Sequence, residues 1–142
     1  MNKKDIIQWP NKKNFAFTIF DDTDLTTLQN GPPIYDLIYH LGLTTTKSVW
    51  PIKGELTPHV GGATCSDSDY LQWIYTLKKQ GFEIALHNVT YHSSHRQQVL
   101  NGIEKFKEFF GIYPNVHANH VGCEESIYWG DGRLTKLNKL LY

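Results

Sequence analysis

The sequence predicts an α/β fold: a parallel sheet built from repeated βα units. Three observations carry this. Short β-favouring runs alternate with amphipathic stretches of helical period. A glycine closes each helical stretch directly before the next strand run, at Gly42, Gly81 and Gly111. Carboxylates and histidines then collect just past the carboxyl ends of the strand runs, where sites assemble in such folds.

The elements follow in order. Residues 1–14 are a polar lead-in, and residues 15–142 form the βα domain. Phe15, Phe17, Thr18, Ile19 and Phe20 suit a buried first strand over 15–20. Asn30-Gly-Pro-Pro opens a helix, since proline is tolerated in the first turn. Ile34, Leu37, Ile38 and Leu41 give that helix one apolar stripe. The Thr-rich run from Leu43 to Trp50 is the second strand, stopped by Pro51. Residues 51–66 are a loop long enough to be functional. Ser66 or Asp67 caps the second helix, with its stripe at Tyr70, Leu71, Ile74 and Leu77. Phe82 to Leu86 is the third strand, ending at His87. Ser93 or Ser94 caps a third helix with Val99, Ile103, Phe106 and Phe110 on one face. A short strand at about 115–119 ends near His120, and Leu134 to Leu141 starts a fourth helix. Crossover helices imply right-handed connections between parallel strands. A doubly wound sheet and a (β/α) barrel both fit. Four units are too few for a full barrel, and the chain stops within an apolar helix. The expectation is therefore part of a barrel, incomplete at the C-terminus, as a fragment or a self-associating chain.

Composition narrows the function classes. Fourteen basic and 14 acidic residues leave no net charge, which argues against nucleic acid as a partner. No stretch approaches the ~18 apolar residues of a membrane span, and the polar amino terminus is not a signal peptide. The expected location is cytoplasmic. Cys65 and Cys123 lack CxxC spacing, so they read as free thiols.

Chemistry concentrates at the strand ends. Asp21, Asp22 and Asp24 follow the first strand. Burying three unpaired carboxylates would cost more than a short strand recovers, so they face water, pair with cations or hold a metal. His87 follows the third strand, His92 and His95 lie in the next loop, and His117 and His120 end the fourth. In a parallel sheet these ends share one side. Mixed imidazole and carboxylate ligands suit a divalent metal, zinc first. Trp50 and Trp129, near strand and loop ends, are candidates for stacking on a sugar.

Ile19-Phe20-Asp21-Asp22-Thr23 resembles the first motif of the polysaccharide deacetylases (NodB-homology domains, carbohydrate esterase family 4). Gly81-Phe-Glu-Ile-Ala-Leu-His87 resembles the run into the second motif, and Val116-His-Ala-Asn-His120 stands where the third falls. Thr45 to Trp50 and Tyr128-Trp129-Gly130 resemble a divergent branch of deacetylase-like proteins. The resemblance spans about Phe15 to Gly122 and implies a deformed (β/α) barrel. It implies a metal-dependent hydrolase that removes acetyl groups from a carbohydrate, a polysaccharide or its precursor. By it Asp21 is the general base, with Asp22 and His87 on the metal. The family's third ligand, a histidine four residues on, falls here at Tyr91. His92 or His120 completes the shell, and His117 or His120 serves as acid. Asp24, Trp50 and Trp129 are placed with the substrate.

Two other readings fit parts of the pattern. Asp22-Thr-Asp24-Leu-Thr26 matches DxDxT of the haloacid dehalogenase-like phosphohydrolases, with Asp22 as nucleophile, Asp24 as acid/base and magnesium as cofactor. That reading leaves the histidines without a role. The other is a non-catalytic domain that keeps a sugar- or metal-binding face.

Overall fold

The computed structural model describes residues 9–58, 60–126 and 137. Within them, four parallel strands lie in the order β1-β2-β3-β4. They are β1 (Phe20–Asp21), β2 (Thr46–Val49), β3 (Glu83–His87) and β4 (His117–Ala118). Three helices connect them: α1 (Gly31–His40), α2 (Ser68–Lys79) and α3 (Arg96–Phe110). Sequential order without reversal is single winding, the arrangement of a barrel wall. A doubly wound sheet reverses direction at a switch point, and this one does not. The chain is thus α/β, with its strands forming a half-barrel. Of the expected fourth helix only Leu137 is described, and it is helical; Trp129 lies outside the described residues.

The helix ends obey local chemistry. Gly42, Gly81 and Gly111 all take positive φ, the left-handed conformation that closes a helix at little cost to glycine. Asp67 is the N-cap of α2, and its Oδ2 accepts from Thr64 N at 3.1 Å. The N-cap of α3 is His95, not Ser93 or Ser94. Both serines are occupied elsewhere: Ser93 Oγ donates to Gly122 O and Ser94 Oγ to His92 O.

The core lies between the sheet and the helices. Val49, Ile84 and Leu86 meet Tyr70, Ile74 and Leu77 of α2 and Phe106 and Phe110 of α3. Gly102 sets how closely α3 approaches, because a Cβ there would stand 2.3 Å from the Val89 Cβ. All four residues of β2 are buried, as befits a strand flanked on both edges and covered on both faces.

The first unit departs from expectation. Only Phe20 and Asp21 of the 15–20 run pair, and Phe15, Phe17 and Ile19 are exposed. Ile34, Leu37 and Leu41 of the α1 stripe are exposed too, while Tyr35 and Ile38 face the core. The reason is positional. β1 is an edge strand, and among the described residues nothing covers its outer side.

Candidate metal centre

Each strand delivers its last residues to the same end of the sheet. Parallel register sets which way they face. Leu86 pairs with His117, and His87 pairs with Ala118. Leu86 belongs to the helix-packed core, so His117 shares that side and His87 takes the other. His120, two residues past β4, then turns back toward His87, with ring centroids 5.2 Å apart.

Asp24 meets both histidines. Its Oδ1 lies 3.4 Å from His87 Nε2 and 3.2 Å from His120 Nε2. Asp22 Oδ1 lies 3.2 Å from the same His87 nitrogen. The imidazoles of His87 and His120 are almost wholly buried. Yet Asp24 Oδ1, His87 Nε2 and His120 Nε2 have no hydrogen-bond partner. Buried polar atoms are rarely left so, because each unmet group costs about 1–3 kcal/mol. Three such atoms converging on one point form a set that could hold a metal ion. For metal–ligand bonds of about 2.0–2.2 Å, tetrahedral ligands stand roughly 3.3–3.6 Å apart. The carboxylate-to-imidazole gaps lie at that spacing, and all three atoms fall within 4.8 Å of one another. An N2O donor set with room for more ligands fits zinc or a related divalent ion.

Burial holds the His87 pKa down, to about 4. The neighbouring His120 and His117 lower it further, and Asp22 opposes them. His87 is therefore neutral at pH 7, the state in which it can ligate. Burial raises the Asp24 pKa, with Asp22 adding to the rise and His120 countering it. A cation at this point would relieve the burden on both carboxylates.

Two backbone outliers stand beside the ligands. Leu25, directly after Asp24, has φ 59°, and Asn88, directly after His87, has φ 47°. Such conformations persist only where the surroundings over-determine them. Leu25 N donates to Gly61 O at 2.8 Å, and Ala63 N donates to Thr26 O at 2.8 Å. The Asp24 turn is thereby stitched to the 51–66 loop. Asn88 works from the other side: its Oδ1 accepts from His120 N at 3.2 Å and from His117 Nε2 at 3.1 Å. Its Nδ2 donates to Glu125 Oε1 and Ser126 Oγ. Cys123 Sγ lies 3.5 Å from His120 Nδ1. Burial first, then Glu125, pushes that thiol up to about 11, so it stays protonated beside the ring. Both cysteines are free, as their spacing suggested.

The remaining predicted residues are placed as follows. Asp21 turns away from the histidines toward Lys47. Its Oδ2 accepts from Lys47 Nζ at 2.6 Å and from Tyr35 OH at 2.9 Å. Lys47 is wholly buried and also donates to Thr23 Oγ1 and Thr26 Oγ1. This cation was invisible in the sequence, where a lysine within a strand reads as a solvated edge. Asp21, Asp22 and Asp24 still share one cleft of about 210 Å3, walled by Thr26, Asn30 and Tyr35.

His92 is not brought to the cluster. Its Nδ1 donates to Ser93 O and its Nε2 accepts from Glu55 N, so both nitrogens serve the loop. His117 stands on the helix side, against Asn88. Trp50 offers no open face for a sugar: it is 0% exposed and packs on His87 and His120, at 5.9 and 5.4 Å between centroids. It is the floor beneath the two ligands. No family model, curated protein or solved structure matches the chain.

Proposed function

We propose that the chain is a metal-dependent hydrolase that removes acetyl groups from a carbohydrate. The observation that carries the hydrolytic part is the convergence of three unpartnered buried atoms: Asp24 Oδ1, His87 Nε2 and His120 Nε2. The substrate class rests on the resemblance of Ile19–Thr23 and Gly81–His87 to the deacetylase motifs. The cleft supports it in scale. At about 210 Å3 it is smaller than the ~300–1,000 Å3 of a site that engulfs a drug-sized molecule. It suits one substituent of a larger, mostly outlying substrate.

In this reading Asp24, His87 and His120 hold the metal. Zinc, when bound, polarises the acyl oxygen and lowers the pKa of a water toward ~7. Asp22, largely exposed and with its Oδ1 3.2 Å from His87 Nε2, is the proton acceptor. Asp21, turned from the histidines and bound at Oδ2 by Lys47 and Tyr35, holds the buried lysine instead. Asn30, Thr26 and Tyr35 line the cleft where the acetamido group would sit. The histidine side of the site is buried, which strengthens each electrostatic contact there.

The test is metal content and deacetylation together. Wild type is expected to bind one zinc and to release acetate from an N-acetylated oligosaccharide. Asp24→Ala, His87→Ala and His120→Ala each lose both. Asp22→Asn keeps the metal and loses turnover by at least 10²-fold. Zinc binding without acetate release would leave a non-catalytic metal- and sugar-binding domain. Magnesium-dependent phosphatase activity that survives His87→Ala would favour the phosphohydrolase reading.

A further inference from the structure

The first βα unit exposes an unusual number of large apolar side chains among the described residues. Phe15 and Phe17 are 75% and 81% exposed, Ile19 is 50% and Phe20 is 37%. Leu43, before β2, is 58% exposed as well. Ile34, Leu37 and Leu41 continue the surface along one face of α1 at helical spacing. The three phenylalanines alone leave on the order of 400 Å2 open. With the aliphatic residues the patch approaches ~800 Å2, what one partner contributes to a standard stable interface. A typical monomer's largest patch is about 300–600 Å2.

We infer that this face is a docking surface for a second copy of the chain, and that two copies close one eight-stranded parallel ring. Three features select a second copy over other partners. The sheet has two free edges among the described residues, β1 and β4, and the strands between them are all parallel. A twofold axis along the strand direction sets β4 of one copy beside β1 of the other, and does so twice. Neither of the two described edges is then left open. The four strands among the described residues of each copy make eight, the number at which a parallel barrel fills its own interior. The chain also carries no net charge, so two copies meet without long-range repulsion. The β4 side has matching apolar residues near its ends: Ile112, Tyr113 and Val121 are 52%, 47% and 62% exposed. In such a ring the strand ends of the second copy stand across the mouth from Asp22 and Asp24. Each cleft would then gain a wall from its partner. The dimer stands independently of the activity proposed above.

The experiment is sedimentation of the full chain between about 1 and 100 μM. The expected mass is twice the 16.4 kDa of one chain. Phe17→Glu and Leu43→Glu are each expected to sediment as monomers with unchanged circular dichroism. Leu100→Glu, on the exposed face of α3, is expected to stay dimeric. Hydrogen exchange gives an independent readout. Amides 15–19 of wild type should be protected in the dimer at high concentration and lose protection, by about 10²-fold, on dilution to monomer. A wild type that is monomeric throughout overturns the inference, as does a dimer that Phe17→Glu leaves intact. Protection of 15–19 independent of concentration also overturns it, because the chain then covers that face itself. Open-ended assembly rather than a closed pair would refute the ring.

Discussion

Removing Asp21 should cost this fold more than removing its partner Lys47. The asymmetry follows from burial. Lys47 is 0% exposed at its side chain, and Asp21 is 32% exposed. In Lys47→Met a buried ammonium gives way to an apolar chain of similar length. Asp21 keeps the Tyr35 hydroxyl and its access to water. The cost is about 1 kcal/mol or less, since burying the pair already carried a desolvation penalty. In Asp21→Ala the ammonium stays buried with two hydroxyls, Thr23 at 3.2 Å and Thr26 at 3.3 Å, and without its paired carboxylate, Asp22 acting only through space. Stranding a buried charge costs roughly 3–5 kcal/mol. Urea denaturation at pH 7, read by circular dichroism, checks both. The pH dependence adds a second check. Burial lowers the Lys47 pKa below its ordinary 10.5, and Asp21 opposes the drop. The unfolded chain therefore binds more protons than the folded one between the folded pKa and 10.5, so stability rises with pH across that window. Without Asp21 the folded pKa falls further and the window opens from a lower pH. Asp21→Ala should thus begin to recover stability at a lower pH than wild type and recover more in total, and Lys47→Met should lose that recovery. Equal costs for the two variants, or a larger cost for Lys47→Met, would refute the reasoning.

Two further outcomes follow from the same site. His87 has its pKa lowered from 6.5 to about 4 by burial, so apo-protein stability should rise with pH from about 4 to 6.5 as the unfolded chain releases its extra proton. His87→Gln should flatten that segment of a pH–stability curve measured with chelator present, and an unchanged slope would contradict it. Asn88→Ala removes the acceptor that holds the His120 backbone, and the expected result is a 10–100-fold loss of zinc affinity by isothermal titration. The fold should survive, because Asn88 belongs to the strand exit and not to the apolar core.

Much of the site could be read from residue order. The abrupt change from apolar run to carboxylates at Asp21, and from Ala85-Leu86 to His87, marks strand ends whatever the tertiary structure. Which of the three carboxylates turns toward the histidines could not be read. That depends on the left-handed Leu25, and a leucine there carries no turn signal. The choice between His92 and His120 was equally open. His92 is nearer in sequence to His87, but its ring is spent on the 51–66 loop. Trp50 reads as a sugar platform because it ends a strand, yet that same position puts it under the histidine pair.

The α1 stripe shows the limit from the other direction. Helical period identifies an apolar face but not what it faces. Ile34, Leu37 and Leu41 keep their spacing and look outward, and nothing among the described residues lies over them.

By itself the sequence determined the order of the elements, the parallel α/β class, the glycine helix stops and the strand-end address of the chemistry. These depend on residues within a few positions of one another, where propensity and period act. Tertiary structure alone decided that Asp24, His87 and His120 converge, that Lys47 is buried against Asp21, and that His117 is turned to the helix side. Those pairings join residues 26 to 96 positions apart. Their distances are set by strand register and by two left-handed turns, to which local preference is blind.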